Sequence, residues 1–510
     1  MITKSDFLVY LEAPRHFWAL KHDQYDLTLS EFDKHLIEQG YTVETKAREY
    51  AEQFLLPNYS PNPNDLIFQK TCADGDFEAR ADILIRDEIT NKWDIYEVKS
   101  TTKPEPEHYY DATFQSIVFE KEYEIDKVFI LHVNNDYIRD GDFSLELFLT
   151  PENVTKKVSE LKEDTLNKMK ECLYLSSTDN YKLATHCYKP KECRCKSLCF
   201  PNLPDDSIYN ARLKPRSSDR GIKSCTIKSR KASISAYPDR KVGVVDNLSR
   251  VTERKILDLL DIDVLDIKDV PDDYSLSINQ KVQVEVAKRN NVLVNKKAIK
   301  HDFESLEYPL YFLDYETYES VIPVYDGYKP YQQMVFQYSL HVIESPECKD
   351  ITAHHEFIAK TQDEPCRELL MHMKQHIGDT GSVIVWYKAF ECTRNKEMAV
   401  IYPEFAEFLE DINSRVYDLM DIFKNNYYVD PLFMGSNSIK SVLPVLIPEL
   451  NYKDLTIQDG TMAMTNWQKM IYGDLGNNEK AKILKNLLTY CERDTLAMVK
   501  IWEYLKEVVK

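Results

Sequence analysis

The feature of this sequence that most limits its fold is a long amphipathic stretch near the C-terminus. Its apolar side chains recur at the spacing of an α-helix with one buried face, at Leu484, Leu487, Cys491, Met498, Ile501 and Leu505. Asp494 stands in this row between Cys491 and Met498, where an apolar residue is expected. Because an unpaired buried carboxylate costs on the order of several kcal/mol, we expect a metal ion or a strong donor beside it. Tyr490 precedes Asp494 by one helical turn and can reach the same site.

A second group of acids follows a predicted buried strand. Residues 310–313 are continuously apolar, and Asp314 and Glu316 lie on one face at the end of this run. Further strands are predicted at 335–342 and 383–386, with helices from there to the C-terminus. Acids at the end of a buried strand are costly unless they are paired or bound to metal. The pattern therefore predicts an α/β domain with a carboxylate site.

Asp-x-Glu on a first strand and Tyr-x-x-x-Asp on a late helix resemble the DEDDy proofreading exonucleases of the RNase H-like fold. The resemblance implies a 3′–5′ exonuclease that uses two metal ions, with Asp314, Glu316 and Asp494 as ligands and Tyr490 orienting the attacking water. It also implies Glu391 as the middle acid, since the run 387–391 stands where the family carries its Asn-x-x-Phe element. Here Tyr387 replaces that asparagine, and Asp418 is the alternative middle acid. The run 436–442 resembles the family's Ser-Leu-Lys element.

A separate set of acids lies more than two hundred residues earlier. Glu97 and Lys99 alternate with Val98 in a predicted strand, so their side chains point to the same face. Asp82 lies on the preceding predicted strand, across a polar turn. Carboxylates on adjacent strands can hold one Mg²⁺ or Mn²⁺, and a neighbouring lysine can position water and offset developing charge. The pattern predicts a second metal-dependent site.

Asp, a short hairpin and Glu-x-Lys resemble the PD-(D/E)XK nucleases, and the wider pattern resembles the RecB/AddB-type iron–sulfur nucleases over residues 1–200. The resemblance implies Glu44 as a further metal ligand and Gln115 as a motif residue on the helix after the Glu-x-Lys strand. Phe119 replaces the usual tyrosine of that motif. Glu44, Gln115 and Lys99 also have plain structural interpretations, as an exposed helix residue, a helix-surface amide and an edge-strand charge.

Four cysteines lie within thirteen residues, at Cys187, Cys193, Cys195 and Cys199. Such clustering is typical of metal or cluster ligation more than of packing. The same resemblance implies a [4Fe–4S] cluster, held in the family by one N-terminal and three C-terminal cysteines. Ala13 stands where the N-terminal cysteine is expected, within a matching run at 10–15. Four thiolates suit an iron–sulfur cluster or Zn²⁺, so zinc is the alternative.

The length of 510 residues exceeds what one core supports. We predict a nuclease domain at 1–200, a basic linker with a helical insert at 201–303, and an exonuclease domain at 304–510. The formal net charge of −19 opposes nucleic-acid binding in bulk, but residues 212–241 hold ten lysines and arginines against two aspartates. This basic stretch could contact phosphates; a solvated linker is the alternative.

The whole chain resembles an uncharacterised bacterial family that fuses these two nuclease domains, and the run 330–341 fits that family's second strand. The resemblance implies a metal-dependent nuclease with two active sites and a nucleic-acid partner, DNA in preference to RNA. One catalytic domain with a nucleic-acid-binding scaffold is the alternative, and a scaffold with no activity is the third. We expect no membrane partner and a cytoplasmic location, since no signal peptide or spanning run is evident.

Overall fold

A computed structural model describes residues 1–187, 189, 193–203, 207, 253–348 and 350–510. The described residues form two compact units. Unit 1 comprises Met1–Asn202 and Ser320–Gln332, and unit 2 contains most of the remaining described residues, including Gln333–Lys510. The segment Ser320–Gln332, which the sequence prediction placed in the C-terminal domain, is thus part of unit 1. The basic stretch 212–241 lies outside the described residues.

Unit 1 combines one sheet with helices. Its strands are β1 (Ile2–Thr3), β2 (Leu66–Ala73), β3 (Phe77–Arg86), β4 (Trp93–Lys99), β5 (Ile125–Val133) and β6 (Leu149–Asn153). Its helices are α1 (Lys4–Glu12), α2 (Pro14–Lys21), α3 (Glu31–Tyr50), α4 (Leu56–Tyr59), α5 (Pro106–Phe119), α6 (Leu145–Phe148), α7 (Thr155–Ser177) and α8 (Lys196–Cys199).

The sheet of unit 1 has the order β1-β3-β4-β5-β6, and β2 pairs with β3. Strands β3 and β4 are the predicted hairpin, antiparallel with Ile83 opposite Tyr96. Strand β5 returns parallel to β4 after helix α5, as a β-α-β crossover requires. This order brings the Asp82 end of β3 beside the Glu97–Lys99 end of β4, with α5 connecting β4 to β5.

Part of the core of unit 1 lies between α3 and the sheet. Val43 and Ala47 of α3 pack with Ile83, Ile85 and other fully buried side chains. Residues of the segment Ser320–Gln332 belong to the same cluster, with Val321 fully buried. The backbone N–H of Val321 donates to Gln39 Oε1 at 2.7 Å. A segment distant in sequence therefore completes this core.

Unit 2 contains a second mixed arrangement of strands and helices. Its strands are β7 (Leu293–Val294), β8 (Leu310–Tyr318), β9 (Met334–Ile343), β10 (Ala353–Ile358), β11 (Ser382–Val385), β12 (Val416–Asp418) and β13 (Tyr428–Val429). Its helices are α9 (Glu253–Leu260), α10 (Ile278–Arg289), α11 (Lys296–Glu304), α12 (Cys366–Lys374), α13 (Lys388–Ile401), α14 (Ala406–Ser414), α15 (Asp421–Lys424), α16 (Ile439–Leu446), α17 (Gly460–Tyr472) and α18 (Asn477–Val509).

The main sheet of unit 2 has the order β10-β9-β8-β11-β12. Its central strand, β8, runs antiparallel to β9 and parallel to β11. Because a central strand has neighbours on both sides and covered faces, its continuous apolar run is expected. The short strands β7 and β13 form a separate antiparallel pair.

Both units mix strands and helices, which confirms the α/β class predicted from the sequence. The predicted strands that carry Asp82 and Glu97 are β3 and β4, and those predicted near 310, 335 and 383 are β8, β9 and β11. Among the described residues, no helix combines the length and apolar character needed to cross a bilayer.

Candidate active sites

Acidic side chains of unit 2 converge at the end of β8 and on α18. Asp314 and Glu316 lie on β8, and one carboxylate oxygen of each lies within 4.8 Å of the other and of the Cys491 sulfur. Cys491 Sγ is 3.9 Å from Asp314 Oδ2. Asp494 follows Cys491 on α18 by three residues and is 8% exposed. The strand and the helix thus bring three predicted ligands together.

The electrostatics of this group favour a bound cation. Burial and the nearby carboxylate of Asp494 raise the pKa of Asp314 well above its ordinary value. Burial together with Asp314 and Asp494 does the same to the pKa of Glu316. Burial also raises the pKa of Asp494, although the Lys440 ammonium partly opposes the shift. Buried carboxyl groups that repel one another in this way are poorly ionised unless a positive charge joins them.

The structure distinguishes the two candidates for the middle acid. Glu391, on the first turn of α13, is 1% exposed. Its Oε2 atom is buried and has no hydrogen-bond partner in the described part of the chain. Burial and Asp314 raise the pKa of Glu391 well above its ordinary value. Glu391 therefore belongs electrostatically to the group on β8 and α18.

Asp418, the alternative, has a different position and different partners. Its carboxylate oxygens accept the backbone N–H groups of Tyr387 and Lys388, each at 3.0 Å, and that of Met420 at 3.2 Å. The bonds from Tyr387 and Lys388 satisfy free donors at the start of α13. Asp418 thus caps a helix, and its carboxylate is already occupied.

Two residues that the sequence analysis gave no role complete the group in unit 2. Lys440, at the start of α16, donates from Nζ to the Tyr490 hydroxyl at 3.1 Å. Tyr452 donates from its hydroxyl to Asp494 Oδ1. Lys440 lies in the run that resembles the Ser-Leu-Lys element, which was a usable signal. Tyr452 lies outside the described helices and strands, in a region without a motif.

In unit 1 the predicted Glu-x-Lys pair forms part of an ion-pair network. Lys99 Nζ lies 2.6 Å from Glu97 Oε1 and 2.5 Å from Asp111 Oδ2. Lys4 Nζ lies 2.8 Å from Glu97 Oε1 and 3.6 Å from Asp111 Oδ1. Gln115, fully buried on α5, donates from Nε2 to Glu97 Oε2. Two ammonium groups therefore neutralise two buried carboxylates.

Asp82 and Glu44 join this network through one side chain. Gln69 donates from Nε2 to Glu44 Oε1 at 2.9 Å and to Asp82 Oδ1 at 3.1 Å. Asp82 Oδ2 also accepts the backbone N–H of Val98 at 2.8 Å. Glu44 additionally pairs with Arg48 at 2.9 Å. All five predicted residues of the first site are thus brought into one group.

The charges of unit 1 shift the pKa values in opposite directions. Burial and the charge of Glu97 raise the pKa of Asp82 to about 7. Burial opposes ionisation of Glu97, but Lys4 and Lys99 hold its pKa below the ordinary value. Burial and the charge of Glu97 both raise the pKa of Asp111. Asp82 is therefore the acid least compensated by the lysines.

Sequence reasoning missed Lys4, Gln69 and Asp111 in this network. A signal for Asp111 existed, because it precedes Gln115 by four residues and so shares a helix face with it. Both are polar residues in a stretch of α5 that also carries Ala112, Phe114, Ile117 and Val118. Lys4 and Gln69 had no comparable signal, since their partners lie far away in the sequence.

The cysteine cluster gains an unforeseen partner. His16 Nε2 lies 3.4 Å from Cys193 Sγ, and the sulfur of Cys195 lies 4.0 Å from that of Cys193 and 3.6 Å from that of Cys199. One donor atom of each of these four residues lies within 4.8 Å of the others. Cys187 approaches the same group, since its contacts with Cys193 and Cys199 raise its pKa. The group can hold a metal ion.

The thiols of this group differ in their ease of ionisation. Hydrogen bonds from Cys187 and Cys195 lower the pKa of Cys193 to about 5. Burial opposes protonation of His16, but its contacts with Cys193 and Cys199 raise its pKa to about 11. Thiolates are the metal-binding form of cysteine. Metal binding would require His16 to give up its proton.

Comparisons with known proteins find relatives without an assigned activity. The model of a family described as a domain of unknown function, DUF2779, matches residues 311–438. This range includes Asp314, Glu316 and Glu391 but ends before Asp494. The uncharacterised protein UU173 of Ureaplasma parvum is 29% identical over 241 residues, covering 43% of this chain and 34% of that protein.

The uncharacterised protein MG366 of Mycoplasma genitalium is 27% identical over 229 residues, covering 41% of this chain and 34% of that protein. This chain therefore spans about a third of the length of the curated relatives it matches. The crystal structure of SSO0001 is 16% identical with a TM-score of 0.21, covering 40% of this chain and 87% of that chain.

Proposed function

We propose that this chain is a metal-dependent nuclease whose principal active site is the carboxylate group of unit 2. The observation that carries the proposal is the burial of Asp314, Glu316, Glu391 and Asp494 around one another, with Lys440 as the nearby cation. A structural role does not require so many mutually repelling carboxyl groups. By its resemblance to the DEDDy enzymes, unit 2 would have an RNase H-like fold and act as a 3′–5′ exonuclease.

These residues fit the Mg²⁺ or Mn²⁺ that the resemblance implies. Both ions take oxygen ligands from carboxylates, and the unpartnered Oε2 of Glu391 is a buried oxygen available for one. Asp314, Glu316, Glu391 and Asp494 would hold the ions. When bound, such ions supply an activated water and offset the charge that develops on the phosphoryl oxygens.

Tyr490 would orient the attacking water. Its burial raises the pKa of the phenol well above the ordinary value, with Asp494 adding to the effect. The phenol therefore stays protonated and can donate a hydrogen bond. The Tyr490 oxygen accepts from Lys440 at 3.1 Å, and its hydroxyl also donates to Asp494, which lowers the pKa of that acid. The phenol is therefore held beside the carboxylate group where the attacking water would lie.

Unit 1 would form a second nuclease site of PD-(D/E)XK type. Asp82 and Glu97 lie on neighbouring antiparallel strands, and Lys99 is fixed beside Glu97 at 2.6 Å. One observation favours the alternative, in which unit 1 only holds nucleic acid. Lys4 and Lys99 already neutralise Glu97 and Asp111, so this network needs a metal ion less than the group in unit 2 does.

The donor spacing in the cysteine group supports zinc, the alternative to the [4Fe–4S] cluster that the resemblance implies. Two thiolates at 2.3 Å from one tetrahedral Zn²⁺ lie about 3.8 Å apart. The sulfur separations of 3.6 and 4.0 Å match this value. His16 with Cys193, Cys195 and Cys199 is a Cys₃His set, a common structural zinc set. Cys187 beside them would complete the four cysteines that hold most iron–sulfur clusters, so the sulfur spacing, and not the number of cysteines, is the observation that favours zinc.

The decisive experiment measures cleavage by the purified full-length chain with Mg²⁺ or Mn²⁺. The substrates are single- and double-stranded DNA and RNA, labelled at either end, with DNA expected to be cut in preference to RNA. Asp314→Asn should abolish stepwise removal of nucleotides from the 3′ end. Asp82→Asn should abolish any remaining cleavage that originates in unit 1.

Matched controls keep the interpretation clear. Glu410→Gln changes an exposed acid of α14 and should leave cleavage unchanged. If Asp314→Asn leaves every substrate cut at the wild-type rate, the proposed active site of unit 2 is wrong. If Asp82→Asn changes nothing in the Asp314→Asn background, unit 1 is the scaffold of the alternative.

A further inference from the structure

A second group of possible metal ligands in unit 2 lies outside the carboxylate site. His341 on β9 and His354 on β10 face each other across the antiparallel strand pair. Their rings are stacked with centroids 4.3 Å apart. Glu492 of α18 approaches this pair, so that one nitrogen of each imidazole and one oxygen of Glu492 lie within 4.8 Å of one another.

Hydrogen bonds allow one consistent pair of tautomers for the two imidazoles. The Thr495 hydroxyl lies 3.1 Å from the backbone oxygen of Glu492 and 2.8 Å from both His341 Nδ1 and the Ser339 hydroxyl. When Thr495 donates to that backbone oxygen, it accepts from His341 Nδ1–H and from Ser339. With its proton used in this way, Ser339 accepts from His354 Nε2–H at 3.0 Å. Each hydroxyl has one proton to donate. His341 Nε2 and His354 Nδ1 therefore keep their lone pairs.

This arrangement is typical of metal-binding histidines, which donate one ring N–H to a fixed partner and present the other nitrogen. Ser339 and Thr495 are fully buried, so the partners are rigid.

We propose that His341, His354 and Glu492 bind Zn²⁺. Imidazole nitrogen suits zinc and related late transition metals, whereas Mg²⁺ prefers oxygen ligands. Two histidines and one glutamate are a known zinc set that leaves one coordination position open. The site is independent of the proposed nuclease activity, because none of its three ligands belongs to the carboxylate group.

Zinc binding by the full-length chain tests this site. The protein is dialysed against micromolar Zn²⁺, and bound zinc per chain is measured by mass spectrometry. His354→Ala and Glu492→Gln should each bind one zinc fewer than the wild type. His376→Ala is the control, because His376 belongs to a separate set of stacked imidazoles with His355 and His372. It should bind as much zinc as the wild type.

Cobalt substitution separates this site from the cysteine group. Co²⁺ bound by nitrogen and oxygen gives visible bands without the thiolate charge-transfer absorption of a cysteine site. His354→Ala should remove the first component and preserve the second, with an unchanged circular dichroism spectrum. Equal zinc content in His354→Ala, Glu492→Gln and the wild type would overturn the proposal, as would a loss confined to His376→Ala.

Discussion

Lys440 donates a hydrogen bond from Nζ to the hydroxyl of Tyr490, 3.1 Å away. The same ammonium lowers the pKa of Asp314 and Asp494 against the larger opposing effect of their burial. One side chain therefore fixes the phenol and supplies positive charge to the acids around it. The hydrogen bond should aid catalysis, whereas the positive charge should weaken metal binding.

Lys440→Ala should separate the two effects. Loss of the hydrogen bond frees Tyr490, and we expect kcat to fall by about 10²-fold, as for other preorganised donors. The Lys440 ammonium competes with Mn²⁺ for the carboxylates. Its loss should therefore also lower the Mn²⁺ concentration that gives half-maximal activity. Lys453→Ala, an exposed lysine in unit 2, is the control. An unchanged kcat would show that Lys440 does not position Tyr490.

Metal removal should expose the cost of the buried acids in unit 2. With a chelator present, Asp314→Asn should stabilise the protein by about 1 kcal/mol or more, since one repelling carboxylate is removed. With Mn²⁺ added, the wild type should gain more in melting temperature than the variant, because ligand binding stabilises the folded state. Differential scanning calorimetry measures both. A variant that is less stable than the wild type under both conditions contradicts this account.

The same acids predict a pH dependence for the metal-free protein. The folded-state pKa values of Asp314, Glu316 and Glu391 are raised above those of the unfolded chain. The folded state therefore binds more protons, and the free energy of unfolding falls as pH rises from the unfolded values near 4 towards the raised ones. Denaturant unfolding with a chelator should show this loss, and Asp314→Asn should reduce its slope. Equal slopes would contradict the shared burial of these groups.

Lys99→Ala should destabilise unit 1 whether or not this unit is catalytic. The substitution leaves Glu97 and Asp111 buried with only Lys4 nearby, and breaking a buried ion pair costs about 3–5 kcal/mol. Lys99→Met combined with Asp111→Asn should recover most of the stability, because both charges are removed. Lys103→Ala, an exposed lysine nearby, is the control. Thermal unfolding measures all four proteins, and a stable Lys99→Ala would contradict the network.

His16→Ala should lower the zinc content of the purified chain by one equivalent, because it removes one donor of the Cys₃His set. His22→Ala changes the histidine that follows the C-terminal end of α2 and stacks on Trp18, and it should retain the wild-type zinc content. Elemental analysis and an acid-labile sulfide assay provide the measurement. Iron with stoichiometric sulfide in the wild type would instead establish the iron–sulfur cluster.

Local patterns sufficed to predict the elements that carry most of the candidate ligands. Alternating side chains placed Glu97 and Lys99 on β4, and helical spacing identified Asp494 as an acid in an apolar row, which the structure buries on α18. Such patterns involve residues close together in the sequence, and they indicate which face of a strand or helix is buried. They do not record which distant side chain fills the space opposite.

The missed residues are all partners from distant segments. His16 meets cysteines that follow it by more than 170 residues, and Tyr452 reaches Asp494 from a stretch without a regular element. Gln69 joins two acids from different elements. Pairings of this kind are set by tertiary packing, which periodicity within a single sequence does not contain.

Tyr387 stands where the DEDDy exonucleases that the sequence resembles carry an asparagine, and the backbone at this position gives the difference a physical meaning. It precedes α13 with φ of 91°, in the left-handed region. Asparagine tolerates that region far better than other residues with a side chain. The asparagine that the DEDDy resemblance places at this position would tolerate this backbone, whereas tyrosine adopts the same conformation at a cost in strain.

Helix α18 carries Tyr490, Cys491 and Asp494 toward the carboxylate group, while its Glu492 and Thr495 face the paired histidines. Each residue of an α-helix is rotated by about 100° from the one before it. Inserting or deleting a single residue within 490–495 would therefore rotate ligands of both the carboxylate group and the histidine site away from the sheet. Both groups of ligands therefore depend on the same helical register. Length changes in this helix should be tolerated only near its termini.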